Sequence, residues 1–252
     1  MKLFVKISYR GTNYAGYQIQ KNAPTVQKAM NEAALALFGY DCDIVGCSRT
    51  DSGVHANEFC AVISAKGTDR LETSIDPKSI PLALGHHLPD DISVREAKWV
   101  DGDFHPRYDV KYKEYVYRIW NRPEKNPFTP DMCYHYHKPI SDEKLEKMNR
   151  AASFFCGEHD FIAYMAKGGN DKDTVRCIEY AMVTRVGDFI EFKVAANGFL
   201  YNMVRIMMGT LLAVAEGKIS PDEIEVITES KDRKRAGITA PACGLFLNKV
   251  IY

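Results

Sequence analysis

The amino-acid sequence predicts an α+β fold with mainly antiparallel sheets and helices on one face. Two features lead to this prediction: an alternating strand at the N-terminus and a hairpin centred on Gly187. Both are typical of antiparallel sheets that have one buried and one solvated face. A third feature is the order of elements, strand–helix–strands followed by strand–helix–strands–helix. The chain therefore divides into two halves in which strands and helices follow one another in a similar α+β order.

The composition is that of a globular protein without a dominant charge. The 252 residues suit one large domain or two modest ones. They are 46% hydrophobic and 26% charged, and 33 basic residues balance 33 acidic ones. Because the net charge is zero, any nucleic-acid-binding surface must come from an uneven distribution of charge. The balance counts against a purely electrostatic, sequence-blind binder.

The cysteine pattern favours a cytoplasmic protein with reduced thiols. The seven cysteines are odd in number and none has Cys-x-x-Cys spacing. A zinc site built from Cys42, Cys47, His55 and Cys60 would have spacings that match no standard pattern, so no metal is expected. The N-terminus lacks the shape of a signal peptide, and no uninterrupted apolar run is long enough to span a membrane. We therefore expect neither a membrane association nor a metal.

Local signals predict the elements of the first half. Leu3, Val5 and Ile7 alternate with polar residues as in a half-buried strand. Thr25 is a good N-cap for a helix over 26–38, which Gly39 closes. The other expected elements are strands over 44–47, 59–64 and 91–99, and a short helix over 77–84.

The second half is predicted in the same way, after a junction at residues 104–109. Expected strands cover 113–119, 176–186, 188–195 and 244–252. Expected helices begin after Ser141, run over 199–215 with Asn197 as the cap and Gly217 as the end, and begin again at Pro221. The polar, glycine-rich loop 167–173 is expected to be mobile.

The stretch around Asp51 is the centre of the functional hypothesis. Residues 50–53, Thr-Asp-Ser-Gly, have turn chemistry and connect two β-prone runs. Asp51 is thus placed on a loop between strands, where functional groups often lie. From the residues alone, a plain surface turn with Asp51 as a local acceptor is the favoured interpretation, because such turns are common.

Two other stretches also allow more than one interpretation. Residues 9–20 contain three tyrosines, which either pack on their own domain or display aromatic faces to RNA. Arg205 lies in the most apolar helix, between Val204 and Ile206. An unpaired buried charge is very costly, so Arg205 must pair with a carboxylate or extend to water.

Several motifs in order resemble those of the tRNA pseudouridine synthase A family. Residues 49–55, Arg-Thr-Asp-Ser-Gly-Val-His, are similar to its signature, with Ser48 and Ser52 where Gly and Ala are usual. The tyrosine-rich opening matches apart from Tyr17, which replaces a usual Trp. Matches continue at Thr25-Val26-Gln27, at Phe199-x-x-x-Met-Val-Arg205, and at Ala240-Pro-x-x-Gly-Leu. They cover essentially the whole chain.

The resemblance implies a fold and a set of site residues. It implies two α/β halves joined into an extended, mainly antiparallel sheet with a central active-site cleft, the pseudouridine synthase fold. Asp51 would be the nucleophile, and Arg205 would pair with it and keep it ionised. Arg49 would take the place of the displaced nucleotide and contact phosphate. Tyr115 would pack against the target base.

The resemblance also implies the activity. It is the isomerisation of uridine to pseudouridine in the anticodon stem-loop of tRNA, at positions 38–40, by a homodimer without a cofactor. The half 1–106 would contain the catalytic loop, and the half 107–252 would contain the tyrosine strand and the arginine helix.

Three alternatives remain open at the level of sequence. The chain could be a non-catalytic RNA-binding α+β module, or a pseudouridine synthase that acts on a different RNA. A glycosidase-like hydrolase would need a second carboxylate, for which Glu58 is the nearby acid.

His55 is interpreted as mainly structural. The basic run 231–235 is either a solvated face or a contact for phosphate.

Overall fold

The computed structural model describes residues 1–169 and 172–252. The described residues form ten strands and five α-helices, and the α+β prediction is confirmed. Two compact units are present: unit 1 comprises Met1–Lys111 and Leu247–Tyr252, and unit 2 comprises Tyr112–Phe246. The predicted division at residues 106 and 107 did not anticipate that the end of the chain joins unit 1. Asn170 and Asp171 of the loop 167–173, which was predicted to be mobile, lie outside the described residues.

Unit 1 is a sheet with two helices. The strands follow the order β4-β1-β3-β10, with β2 also paired to β3. The registers are antiparallel: Val5 lies opposite Ala61 of β3 and Ala97 of β4. In chain order the elements are β1 (Lys2–Tyr9), α1 (Val26–Phe38), β2 (Cys42–Gly46), β3 (His55–Ala65), α2 (Ile80–Gly85), β4 (Ile92–Val100) and the unit 1 part of β10 (Leu245–Ile251).

Helix α1 forms where the local signals predicted it. The hydroxyl of Thr25 accepts a hydrogen bond from the amide of Lys28 at 3.4 Å. Gly39 ends the helix at φ +79°, a backbone conformation that favours glycine. Met30 and Ala34 are buried on one side of the helix. The predicted cap, span and end of α1 are all confirmed.

Unit 2 is a sheet with three helices. The strands follow the order β5-β9-β8-β7, and β6 pairs with β5 in parallel. The predicted hairpin around Gly187 is confirmed, with Val183 opposite Phe192. In chain order the elements are β5 (Tyr112–Trp120), β6 (Tyr134–His135), α3 (Asp142–Ser153), β7 (Gly157–Asp160), β8 (Val175–Val186), β9 (Phe189–Ala196), α4 (Met203–Ala215) and α5 (Glu223–Ser230).

The start of α4 differs from the prediction. The helix begins at Met203 rather than at residue 199, and its N-cap is Asn202 at φ +60°. Asn197 does not cap the helix; its side-chain oxygen accepts from the amide of Cys177 at 3.0 Å. The reason is that residues 198–202 form a loop and turn before α4, so Asn197 is too far away. The prediction of Asn197 as the cap was wrong.

The helix α4 is the buried centre of unit 2. Eleven of its thirteen residues are buried, from Met203 to Ala215. A helix that is apolar on all sides belongs in the interior of a protein. None of the helices formed by the described residues is long and apolar enough to cross a membrane.

Candidate functional site

In unit 1, Asp51 lies on the loop between β2 and β3, as its turn chemistry predicted. Its side chain is half-buried. The backbone carbonyl of Asp51 accepts from the amide of Val54 at 3.1 Å, which closes the turn. Gly53, at φ +77°, occupies the position of the turn where a side chain would be strained. The loop is therefore a tight turn rather than a flexible connection.

The residues that follow Asp51 bind the backbone of Tyr14. The carbonyl oxygen of Tyr14 accepts from the amide of Gly53 at 3.2 Å and from the hydroxyl of Ser52 at 3.3 Å. The side chain of Ser52 thus adds a second bond to the one made by the backbone of Gly53. These contacts fix the C-terminal side of the turn.

The residue that precedes Asp51 is bound just as closely. The carbonyl of Thr50 accepts from the amide of Tyr17 at 3.2 Å, and its hydroxyl lies 2.8 Å from the hydroxyl of Tyr9. Thr50 is buried, so these bonds form away from water, where an unmade bond is costly. The backbone is therefore fixed on both sides of Asp51 by residues 9–17, and a rigid backbone helps to position a functional side chain.

The tyrosines of residues 9–20 do not display their aromatic faces. Tyr9, Tyr14 and Tyr17 are 5%, 8% and 3% exposed, so the interpretation of this segment as an aromatic RNA-contacting surface was wrong for these rings. Tyr17 stacks on Phe59 with ring centroids 4.1 Å apart. Burial raises the pKa of Tyr17 and, with the hydrogen bond to Asp91, that of Tyr14. Of the three side chains, that of Tyr9 contacts the Asp51 loop directly, through Thr50.

Arg49 is exposed two residues before Asp51. Among the residues that the structure describes, its guanidinium has no hydrogen-bond or ion-pair partner. A planar guanidinium in water is suited to bidentate binding of a phosphate. The position of Arg49 is thus compatible with contact to an anionic substrate.

Two other polar residues near the loop have structural partners. His55 is buried, and its Nδ1 accepts from the amide of Gly11 at 2.9 Å, as suits a mainly structural residue. Glu58 lies on β3, where it pairs with Lys6 at 3.4 Å and accepts from the amide of Val250 at 3.4 Å. Glu58 is therefore engaged in the sheet, which disfavours it as the second carboxylate of a glycosidase.

In unit 2, the guanidinium of Arg205 is fixed by two acceptors. Nε donates to the carbonyl of Ala240 at 2.8 Å, and Nη1 donates to the side-chain oxygen of Asn202 at 2.7 Å. Arg205 is half-buried in α4 and does not simply extend into solvent. A guanidinium with two fixed donors keeps the remaining donors in a defined direction. The sequence indicated neither acceptor as a partner of Arg205.

The segment that contains Ala240 is itself anchored to the sheet. The hydroxyl of Tyr117 donates to the carbonyl of Pro241 at 2.7 Å. Tyr117 is fully buried, and burial raises its pKa. The closing segment 240–244 therefore connects β5 with the arginine of α4.

Tyr115 lies on β5 opposite Val194 of β9 and is 6% exposed. Its ring meets that of Phe199 edge to face, with centroids 5.0 Å apart. Tyr115 and Arg205 thus belong to unit 2, whereas Asp51 and Arg49 share the loop of unit 1. The Asp51–Arg205 ion pair, the central cleft and the contact of Tyr115 with a base stay predictions.

The basic run 231–235 is not a uniform face. Lys231 ends α5 and pairs with Asp160 at 2.9 Å. Lys234 and Arg235 are exposed, whereas Arg233 is half-buried. Lys231 is exposed too but is paired, so Lys234 and Arg235 are the basic residues that fit either interpretation that the sequence allowed, a solvated face or a contact for phosphate.

The described part of the chain contains no group of three or more His, Cys, Asp or Glu side chains arranged to bind a metal ion. The charged groups at the two candidate positions are instead a loop carboxylate in unit 1 and a fixed guanidinium in unit 2. The fold and these positions define a class: an α+β protein with a preorganised aspartate loop and an arginine in an apolar helix.

Comparison with known proteins assigns the family within that class. A family model described as tRNA pseudouridine synthase matches residues 151–252. The tRNA pseudouridine synthase A of Thermoanaerobacter sp. strain X514 is 43% identical over 250 residues, which are 99% of each chain. The protein of the same name from Acetivibrio thermocellus is 44% identical over 247 residues, or 98% of this chain and 97% of the relative. The chain belongs to the tRNA pseudouridine synthase A family.

Proposed function

We propose that this protein isomerises uridine to pseudouridine in tRNA. The observation that supports the proposal most strongly is its similarity to tRNA pseudouridine synthases A over nearly the full length of both chains. The finer part of the proposal is that the target uridines lie at positions 38–40 of the anticodon arm. That part depends on the resemblance of the motifs.

The reaction is balanced without a redox partner or a transferred group. The bond from C1′ of the ribose to N1 of uracil breaks, and a bond from C1′ to C5 forms after the base has rotated. The hydrogen of C5 leaves as a proton, and N1 gains a proton. An ionised carboxylate supplies the covalent or proton-transfer assistance that such a rearrangement needs.

Asp51 is the proposed nucleophile. The bonds between residues 9–17 and Thr50, Ser52 and Gly53 support this role, because they fix the backbone of the loop from which the carboxylate extends. Arg205 is proposed to pair with Asp51, and a neighbouring cation favours the ionised carboxylate. Its fixed contacts to Ala240 and Asn202 support that assignment.

Arg49 and Tyr115 are proposed to bind the displaced nucleotide. Removing a base from a stacked helix costs a few kcal/mol, which contacts to the extruded nucleotide must offset. Arg49 is exposed beside Asp51, so it can contact phosphate while filling the space that the base leaves. Tyr115 is proposed to pack against the extruded uracil, as the resemblance implies.

Activity of Asp51 variants tests the proposal. We expect Asp51→Asn and Asp51→Ala to lower tritium release from tRNA labelled at C5 of uridine by about 10⁴-fold or more. RNA binding should remain within about 3-fold, since one loop carboxylate does not contribute the phosphate contacts. The matched control is Asp90→Asn, which changes an exposed aspartate in a turn of the same unit. Turnover by either Asp51 variant near that of the control would contradict the proposal.

The same assay separates the alternatives. A hydrolase would release free uracil, whereas an isomerase releases only the C5 hydrogen. A non-catalytic RNA-binding module would release neither and would be insensitive to Asp51 substitutions. A synthase for another RNA would leave the tRNA pseudouridines intact in cells that lack this protein, which mapping of the modified positions detects.

The oligomeric state and cellular location are part of the proposal. We expect a homodimer that bridges the tRNA, on the basis of the family resemblance. Light scattering on the purified protein in solution should give twice the chain mass of 28.5 kDa. A cytoplasmic location is supported by the seven free cysteines.

A further inference from the structure

Arg233 is the member of the basic run that is directed towards the protein. Its Nη1 donates to the carbonyl of Gly237 at 2.9 Å and, more weakly, to that of Ala236 at 3.4 Å. Its Nη2 is 3.4 Å from the hydroxyl of Thr239. One guanidinium therefore binds three acceptors within a stretch of four residues. The neighbouring Arg235 is exposed and makes no such contacts among the described residues.

The stretch bound by Arg233 lies directly against helix α4. The amide of Gly237 donates to the hydroxyl of Thr210 at 2.9 Å, and the amide of Ala240 donates to the carbonyl of Arg205 at 3.1 Å. The two backbones approach so closely that a Cβ at Gly209 would lie 1.8 Å from the carbonyl oxygen of Ile238. Residues 237–240 thus follow α4 backwards from Thr210 to Arg205.

This stretch ends at the atom that orients Arg205. The carbonyl of Ala240 accepts from Nε of Arg205 at 2.8 Å. An arginine side chain has many rotamers, and ordering it costs conformational entropy. A carbonyl at a fixed position reduces the number of orientations available to Arg205. Displacement of residues 237–240 would move that carbonyl and remove this restraint on the guanidinium.

We propose that Arg233 is a positioning residue for Arg205, acting through residues 236–240. Its forked guanidinium binds the carbonyl of Gly237 and the hydroxyl of Thr239. This segment packs on Gly209, and the carbonyl of Ala240 then sets the direction of Arg205. The significance for catalysis rests on the proposed function, in which Arg205 pairs with Asp51. The geometric part concerns unit 2 alone.

The geometric part is tested without any activity measurement. In a ¹⁵N-labelled protein, the Nε–H signal of Arg205 is identified by its loss in Arg205→Lys. We expect Arg233→Gln to shift that signal and to speed its exchange with solvent by about 10-fold, as a hydrogen bond of about 1.4 kcal/mol is lost. Arg235→Gln, the matched control from the same run, should leave the signal unchanged. An unchanged signal in Arg233→Gln would overturn the proposal.

The catalytic part is tested by kinetics. We expect Arg233→Gln to lower kcat by about 10- to 100-fold with KM within about 2-fold, because misplacement of a positioned group mainly affects the chemical step. Arg233→Lys should not restore kcat, since an ammonium cannot bind two divergent acceptors as a fork does. A raised, salt-dependent KM with normal kcat and a normal Nε–H signal would instead identify Arg233 as a phosphate contact, and would overturn the proposal.

A milder variant keeps the test decisive if Arg233→Gln does not fold. Thr239→Val preserves shape and removes only the hydroxyl that accepts from Nη2. It should shift the Arg205 signal in the same direction by a smaller amount and lower kcat by about 3-fold. No effect on the signal would overturn the proposal. If wild type forms no pseudouridine but the signal responds as expected, the proposed function fails while the positioning relationship stands.

Discussion

The Nδ1 atom of His55 accepts a hydrogen bond from the amide of Gly11 at 2.9 Å, with both residues buried. This bond connects the residue after the Asp51 loop to the segment that supports the loop. His55→Ala leaves a buried amide without its acceptor, which costs about 1–3 kcal/mol. His55→Asn, whose Oδ1 takes the place of Nδ1, should lose less. Urea unfolding measures both.

The exposed His86 provides the control for this prediction. His86→Ala should change the free energy of unfolding by no more than about 0.5 kcal/mol, as for most surface substitutions. If the Asn and Ala variants of His55 were equally destabilised, the bond to Gly11 would not be the reason why His55 matters.

Gly16 allows the backbone of Thr50 to approach the supporting segment. It has φ +96°, and a Cβ there would lie 2.5 Å from the carbonyl oxygen of Thr50. Gly16→Ala should therefore displace the Asp51 loop and lower kcat by more than about 10-fold. It should also destabilise the protein beyond the 1–2 kcal/mol expected for a left-handed backbone alone. Tritium release and urea unfolding test these outcomes.

Gly39 provides a control that separates the cost of backbone strain from the cost of the contact between a Cβ at residue 16 and Thr50. It has φ +79°, but a Cβ there meets nothing within 4 Å. Gly39→Ala should cost only the backbone strain and leave kcat unchanged, because the added methyl group would displace no neighbouring residue. Equal losses in the two variants would show that the contact with Thr50 is not limiting.

Local sequence signals were sufficient to predict an element when its ends are set by residues close to it in the chain. Helix α1 was predicted with its cap and end because Thr25 and Gly39 act within one turn of it. The start of α4 was not predicted correctly, since Asn197 bonds to Cys177, which is twenty residues away. A local pattern does not contain such a tertiary contact, which overrides capping preference.

The sequence predicted which residues form the candidate site but not the hydrogen-bond partners that hold them in place. Turn chemistry placed Asp51 on its loop, and resemblance assigned the roles of Asp51, Arg49, Arg205 and Tyr115. The acceptor of Arg205 at Ala240 is a backbone carbonyl, for which any residue type would serve, so no side-chain pattern indicates it. The hydroxyl of Tyr14 likewise donates to Asp91, far along the chain.

Tyr17 contains a buried hydroxyl without a hydrogen-bond partner among the described residues. Its ring stacks on Phe59, so the aromatic part already has its contacts. Tyr17→Phe should therefore stabilise the protein by about 1 kcal/mol, because the cost of an unsatisfied polar group is removed. Tyr9→Phe is the matched control: it removes a hydroxyl that bonds to Thr50 and should destabilise by about 1 kcal/mol. Thermal and urea unfolding should give opposite signs for the two variants, and the same sign would contradict the assignment.

Glu216 should make the stability of unit 2 sensitive to acid. Its carboxylate accepts from Lys138 and Tyr136 at 2.7 Å and lies 2.5 Å from Nζ of Lys218. The bonds from Lys138, Lys218 and Tyr136 lower its pKa from 4.5 to about 2. Since the folded pKa is the lower one, the contribution is complete above pH 4.5 and is lost as the pH falls towards 2.

Glu216→Gln removes this titration. The variant should be less stable than wild type at pH 6, and the difference should shrink steadily below pH 4.5 and vanish near pH 2. Urea unfolding at a series of pH values measures it. Glu143→Gln is the control, because Glu143 also binds a lysine, Lys147 at 2.7 Å, but is exposed, so solvent screening weakens the pair. A difference between wild type and Glu216→Gln that stayed constant from pH 6 to pH 2 would show that the carboxylate is not stabilised by its three donors.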